Sequence, residues 1–373
     1  MSDPSVYVHI PFCETKCPYC DFNSFAVEGR DVEGYLDALA REMDARGVPA
    51  DPPTVFVGGG TPTVVSPPQL DRYLRDLVRR FRRNPARELT VEANPGSLTA
   101  EKVSVLAAHG VNRVSLGAQS YFDRHLRALG RVHGAAQIDE AYRTVREGGI
   151  GNVNLDFIYA VPGLTTREWV ETLRRAIALG PDHLSCYALV FEPGTEFHAR
   201  RAAGTMRAVD ERVELSMFRW TERLLRAAGL PRYEISNFAR PGRECRHNLV
   251  YWRNLPYAGF GAGAFSFLGG ERSGNERHLG RYVAAVRARG DATVTRERLS
   301  GRAAAAETLV LGLRTAEGVD LDDVGARHGI DARAEFGSTL AEMRGTGHLE
   351  ARGLVRLARR GWRVADTVAS AFL

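Results

Sequence analysis

Cysteine is scarce in this sequence, and three of its five residues, Cys13, Cys17 and Cys20, sit within a stretch of eight. An odd number clustered in this way excludes a disulfide framework and points to a reducing compartment. Long apolar runs are missing too, so no segment approaches the length of a membrane span. The opening MSDPSVYVHI lacks the basic region and apolar stretch of a secretion signal. A cytoplasmic protein is expected. Nor is there a block of one charge: 50 basic residues, most of them Arg, face 45 acidic ones, for a formal charge of +5. Without a basic stripe carrying interleaved aromatics, nucleic acid is not expected as a partner. The arginines read as a solvated surface with a mild preference for anions.

What is present is ordinary globular composition, 44% hydrophobic and 25% charged over 373 residues, enough for one large domain and a smaller one. From residue 5 to about 190, short β-rich runs alternate with helical periodicity. The strand candidates are Val6–Ile10, Thr54–Val57, Glu88–Glu92, Arg113–Leu116, Val153–Tyr159 and His183–Leu189. Between them lie the amphipathic stretches Val32–Arg46, Pro67–Phe81, Thr99–His109, Ala135–Glu147 and Thr166–Leu179. Ser66 and Ser97 to Thr99 sit where N-caps belong, and Gly110 and Gly180 where helices stop.

Such alternation specifies an α/β fold with a parallel sheet, and six units suit a partial (β/α)6 barrel of the TIM type over residues 1–195. A doubly wound sheet fits the same periodicity. Residues 196–298 break the rhythm, with a helix at Asp210–Ala228, a strand at Arg232–Asn237 and a Gly- and aromatic-rich stretch from Tyr251 to Gly270 that reads as a covering segment. Residues 299–373 turn helical and end in the short β-like runs 348–350 and 355–357, the order of a small winged-helix-like domain. Such a tail often merely covers a barrel mouth.

The sharpest motif follows the first strand candidate, where Cys13-x3-Cys17-x2-Cys20 places three thiolates in one loop. Soft thiolates suit an iron–sulfur cluster, and loops at the C-terminal ends of barrel strands are where such folds carry chemistry. Three ligands on a [4Fe-4S] cluster leave one iron open. The competing reading is a closed zinc site with His9 as fourth ligand, although the spacing is not that of a zinc finger.

Further along stand Gly58-Gly59-Gly60-Thr61-Pro62, Glu92-Ala93-Asn94-Pro95-Gly96, Ser115 to Ser120, Leu129-Gly130-Arg131-Val132-His133 and Asn154 to Tyr159. With these motifs in this order the chain resembles the radical S-adenosylmethionine (SAM) superfamily, and within it the oxygen-independent coproporphyrinogen III oxidase-like (HemN-like) group. The resemblance covers nearly the whole chain. It implies that SAM chelates the open iron and that Tyr7, Tyr19, Gly59, Gly60, Thr61, Glu92, Gln119, Arg131 and Asp156 line the SAM site. The residues themselves are compatible with this. A glycine run lets backbone approach a ligand closely. Glu92, Gln119 and Asp156 end three different strand candidates, suiting ribose hydroxyls and a sulfonium, and Arg131 suits a carboxylate. A structural hydrogen-bonding role fits each of the three as well.

Oxidases of the group carry a further cysteine two positions past the third ligand and a longer N-terminal segment; here Phe22 holds that position and six residues precede Tyr7. Together with His247-Asn248-Leu249-Val250-Tyr251-Trp252, these departures make the chain similar to the HemW heme chaperones. That likeness implies heme as a further ligand, delivery to acceptor proteins such as respiratory heme enzymes, and peripheral membrane contact through the acceptor. His247 is then the candidate axial ligand, with Cys245 next and Tyr251 and Trp252 covering a porphyrin face. The same His-Asn and Tyr-Trp pairs fit turn capping and core packing. Cys186, inside a strand candidate, reads as a small buried hydrophobe. The alternative is a radical SAM enzyme, either the oxidase or a small-molecule C-methylase.

Overall fold

A computed structural model describes residues 3–82, 84 and 86–373. Strand β1 (Ser5–Ile10) leads into two short strands, β2 (Phe12–Cys13) and β3 (Phe25–Ala26), which pair in parallel and close the cysteine loop at its base. There follow α1 (Val32–Arg46), β4 (Thr54–Gly59), α2 (Pro67–Val78), β5 (Glu88–Ala93), α3 (Ala100–Ala108) and β6 (Arg113–Gln119). Next come α4 (Asp123–Ala128), α5 (Ala135–Glu147), β7 (Asn152–Tyr159), α6 (Thr166–Ala178), β8 (His183–Ala188), α7 (Glu196–Ala202) and α8 (Glu211–Ala227). Helix starts follow their capping chemistry: the Ser66 and Thr165 side chains accept from the backbone N–H three residues on, and Gln69 and Glu168 reach back.

Strands β1, β4, β5, β6, β7 and β8 lie side by side in chain order and all run parallel. A sequential order has no switch point, which excludes the doubly wound alternative and leaves a partial barrel. Period-two alternation then separates two environments. Val6, Val8, Val55, Val57, Leu89, Val91, Val114, Leu116, Val153 and Leu155 enter the hydrophobic core shared with the helices. The opposite face carries Ser5, Thr54, Glu88, Thr90, Arg113, Ser115, Asn154, His183 and Ser185, all buried and all polar. The lumen of this barrel is hydrophilic.

Two expectations for the middle segment are corrected. The strand expected at Arg232–Asn237 is absent; that stretch turns back on itself through Tyr233 N–H to Asn237 O, and β9 (Asn237–Ala239) pairs antiparallel with β8 instead. The Gly- and aromatic-rich stretch does more than cover the barrel. After α9 (Arg246–Trp252), β10 (Tyr257–Phe260) pairs in parallel with β1, and β11 (Phe265–Leu268), β12 (Glu271–Asn275) and β13 (Thr293–Arg298) continue antiparallel beyond it. The result is one sheet of eleven strands, with α10 (Leu279–Arg289) between β12 and β13.

The end of the chain has its own core, in which Leu309, Val324, Phe336, Val355 and Phe372 meet. It comprises α11 (Gly301–Gly312), α12 (Leu321–His328), α13 (Ala332–Gly345), the hairpin β14 (Leu349–Arg352) and β15 (Leu354–Leu357), and α14 (Ala365–Ser370). Helices followed by a hairpin match the winged-helix-like order. Among the described residues no helix is long and apolar enough to cross a membrane.

A single carboxylate fastens the added strands to the barrel. Glu42 of α1 is fully buried and accepts from Arg46 Nη1 (2.7 Å), Asn275 Nδ2 (2.6 Å), Gly261 N–H (2.8 Å) and Tyr282 Oη (2.7 Å). Removing it leaves Gly261 N–H and Tyr282 Oη without an acceptor and takes one of two acceptors from Arg46 Nη1 and Asn275 Nδ2. Glu42→Leu is expected to cost about 3 kcal/mol or more of stability, read as a lowered thermal midpoint; a loss below about 1 kcal/mol would contradict this role.

Candidate functional site

Because the strands run parallel, their C-terminal ends open into one cavity of about 360 Å³. Of the residues singled out in the sequence, Cys13, Cys17, Cys20, Tyr19, Gly59, Gly60, Thr61, Glu92, Gln119, Arg131 and Asp156 all line it. Tyr7 does not; it is half-buried within the lumen, and its hydroxyl meets His9 Nδ1 at 2.9 Å.

The cysteine loop is tied to the glycine run by backbone bonds, Gly60 N–H to Ile10 O (2.9 Å) and Thr61 N–H to Phe12 O (2.7 Å). A side chain at position 60 would place its Cβ 2.5 Å from Phe12 O, so only glycine lets the loops meet. Polar groups then reach the thiols themselves. Thr61 Oγ1 donates to Cys13 Sγ (3.8 Å), and Arg131 Nη1 donates to Cys17 Sγ (3.5 Å). Arg131 is held by the Gly117 carbonyl (3.1 Å) and by Asn94 Oδ1, while Asn94 Nδ2 donates to Thr61 Oγ1 (2.7 Å). Asn94, in the motif Glu92 to Gly96, stands just past the end of β5 and joins Arg131 to Thr61, pinning this side of the site together. Gln119 adopts φ 63°, a strained left-handed backbone for a non-glycine residue at the rim.

Three thiols lining one cavity, with donors aimed at two of them, fit the donor set of an iron–sulfur cluster. Burial pushes the Cys13 and Cys20 thiols above their ordinary range, which favours neutralisation by a bound metal over free thiolates. The zinc alternative loses its fourth ligand: His9 Nε2 meets Asn23 O (2.8 Å) and its Nδ1 meets Tyr7, so both ring nitrogens are taken. Among the described residues no three His, Cys, Asp or Glu side chains converge on a single-ion site.

Across the cavity stand two carboxylates. Glu92 Oε2 accepts from Gly59 N–H (3.0 Å). Asp156 accepts from Ser115 Oγ (3.0 Å) and Asn154 Nδ2 (2.8 Å). Burial, reinforced by the charge of Asp156, pushes Glu92 up to about 7; burial also raises Asp156, against the hydrogen bonds that favour its ionised form. A pair of destabilised anions beside three thiols makes a pocket that favours a cationic group on this wall, with Arg131 opposite for a carboxylate.

His247 is not brought to this cavity. It lies on α9, which plugs the lumen at the other end, where the strands begin. Its ring is fully buried, with Nδ1 against Thr54 Oγ1 (2.8 Å) and Nε2 against Tyr251 Oη (2.9 Å). Burial, with Arg113 nearby, lowers it to about 3, so the imidazole is neutral. The first N–H groups of α9, those of Arg246 and His247, donate to Glu88 (3.0 Å each). Thr54 and Gly59 are the two ends of β4, so plug and cavity are roughly 16 Å apart at about 3.3 Å per residue. A buried chain of bonds spans the gap. Tyr233 Oη donates to His183 Nε2 (2.8 Å), His183 Nδ1 to Asn154 Oδ1 (2.6 Å), and Asn154 Nδ2 to Asp156.

With this geometry in place, comparison with known proteins is direct. Residues 7–176 match the model of the radical SAM superfamily, and residues 299–366 that of the HemN C-terminal domain. In structure the chain is similar to the coproporphyrinogen III oxidase HemN from Escherichia coli, a radical SAM enzyme, with TM-score 0.87 and 25% identity over 100% of this chain and 90% of that one. In sequence it is 39% identical to the heme chaperone HemW of Escherichia coli (strain K12), over 70% of this chain and 69% of that protein. It is 35% identical to the heme chaperone HemW of Bacillus subtilis (strain 168), over 99% of both. The chain belongs to the HemW family of heme chaperones within the radical SAM superfamily.

Proposed function

We propose that this protein binds heme and, through a [4Fe-4S] cluster on Cys13, Cys17 and Cys20 with SAM beside it, delivers that heme to acceptor proteins such as respiratory heme enzymes. The observation that carries the reading is the 35% identity shared with a heme chaperone over 99% of both chains. Phe22, where the resembling oxidases have a cysteine, supports it. It acts in the cytoplasm, touching a membrane only through a membrane-bound acceptor, and nucleic acid is not a partner. SAM is held by Tyr19, Gly59, Gly60, Thr61, Glu92, Gln119, Arg131 and Asp156, with Tyr7 supporting from below. When bound, a cluster of this kind supplies an electron to the sulfonium. His247 reaches heme only if α9 leaves the lumen.

A second reading is favoured by the structural likeness to HemN and by the completeness of the cavity: a radical SAM oxidase. The two separate in one anaerobic experiment with reductant and SAM. Coproporphyrinogen III is expected to emerge unchanged, while heme-loaded protein raises the activity of an apo heme enzyme. Vinyl product from the porphyrinogen would reverse the assignment.

Cys17→Ser is expected to abolish cluster absorbance after reconstitution and leave the fold intact by circular dichroism, because the thiol faces the cavity rather than the core. SAM affinity is expected to depend on pH through Glu92. Its carboxyl is raised to about 7, and the sulfonium favours the ionised form, so binding is full above that pH and weakens by up to about tenfold per unit below it. Glu92→Gln should weaken binding and flatten the profile, as measured by calorimetry; an unchanged slope would assign the step elsewhere.

A further inference from the structure

The two ends of the plug helix α9 are held by different parts of the chain. Its first turn is tied to the barrel, where Glu88 accepts from the N–H groups of Arg246 and His247. Its last turn is tied to the C-terminal domain. The Arg327 guanidinium of α12 forks the carbonyls of Arg253 (3.0 Å) and Asn254 (2.9 Å), which follow the end of the helix and have no further turn to bond. Asn254 Nδ2 donates to Thr308 Oγ1 of α11 (2.9 Å), Arg253 pairs with Glu317 (2.7 Å), and the Arg314 guanidinium lies over the Trp252 ring at 4.8 Å.

This end is strained where it stands. Asn254 takes φ 50°, a left-handed backbone on a residue that is not glycine, and the buried Trp252 Nε1 has no acceptor among the described residues. Contacts from the C-terminal domain offset both costs.

What the last turn covers is the ring of His247. Thr54 Oγ1 donates to Ser5 Oγ (2.8 Å), so toward His247 it accepts, and the imidazole carries its proton on Nδ1. Nε2 is then a lone pair, and Tyr251 Oη donates to it (2.9 Å). An oxygen behind Nδ1–H is how proteins orient a metal-binding imidazole. Tyr251 stands one helical turn past His247, its ring edge-on to Tyr257 of β10 with centroids 4.7 Å apart. Release of the last turn therefore uncovers Nε2 while Glu88 still holds the first, and the plug leaves the lumen from this end.

Resting on the heme-carrier reading, we infer that the C-terminal domain is the latch of the plug: heme iron reaches His247 only after Arg327 and Thr308 release the last turn of α9 and Tyr251 swings away from Nε2. The test follows α9 by amide hydrogen exchange and hemin uptake by stopped-flow absorbance at the Soret band. It uses the cluster-loaded full chain as wild type, Arg327→Ala/Asn254→Gly and Arg333→Ala. Arg327 is exposed and glycine suits the left-handed backbone at 254, so the double variant is expected to fold, as checked by thermal midpoint and cluster absorbance. Arg333 pairs with Asp322 of α12 (2.6 Å) and not with α9, so its loss controls for general loosening of the domain. The double variant is expected to exchange the last-turn amides and to take up hemin about tenfold faster than wild type, the scale of lost charge-assisted bonds, while Arg333→Ala behaves as wild type. Unchanged exchange in the double variant would overturn the latch, as would equal acceleration by Arg333→Ala. Faster exchange with hemin uptake at the wild-type rate would overturn its control of the site and leave the carrier reading standing. No Soret change in any of the three proteins would remove the carrier reading and the gate with it.

Discussion

Parallel pairing is the constraint on which this molecule rests. Strands β10, β1, β4, β5, β6, β7 and β8 all run the same way, so every loop that follows a strand opens at one end. Six separate sequence motifs thereby converge on one cavity without any of them being adjacent in the chain. The same pairing sends the strand beginnings to a common floor, where α9 closes the lumen. Reversing one central strand would scatter the cysteines, Glu92 and Asp156.

A parallel sheet covered on both faces is normally apolar throughout. Here only the helix-facing side follows that rule. The lumen carries buried Glu88, Arg113, Asn154 and His183, and such groups are tolerable only when hydrogen-bonded. The bonds are supplied by the plug: Glu88 by the N–H groups of α9, and His183 by Tyr233, which also accepts from the Cys245 N–H. Arg113 Nε and Thr90 Oγ1, neighbours in register, are left without a protein partner, and ordered water in the lumen would satisfy them. The HNxxYW motif is thus the element that makes a polar barrel interior affordable, whatever else it does.

The cysteine loop was legible because its ligands lie within eight residues and follow a clear strand signal. The helices were legible where local chemistry sets their ends, as at Ser66 and Thr165. By contrast, β10 is four residues rich in glycine and aromatics, and its place beside β1 depends on contacts with residues some 250 positions earlier, Tyr7↔Gly259 among them. The excursion at Arg232 misled for a related reason. Its β-like composition is spent on a turn whose Glu234 bridges to Thr315 rather than continuing a strand.

The sequence by itself determined the cluster loop, the alternation of strands and helices, and the identity of the side chains that end each strand. These are local properties, set by ligand spacing, periodicity and capping. Only the tertiary structure decided which of those side chains share a cavity. Sequence separates Glu92, Arg131 and Asp156 by dozens of residues, and it is the parallel register that brings them to one mouth. It decided equally that His247, prominent in the sequence, lies at the far end with both nitrogens bonded, because burial and partner choice arise from packing between distant segments.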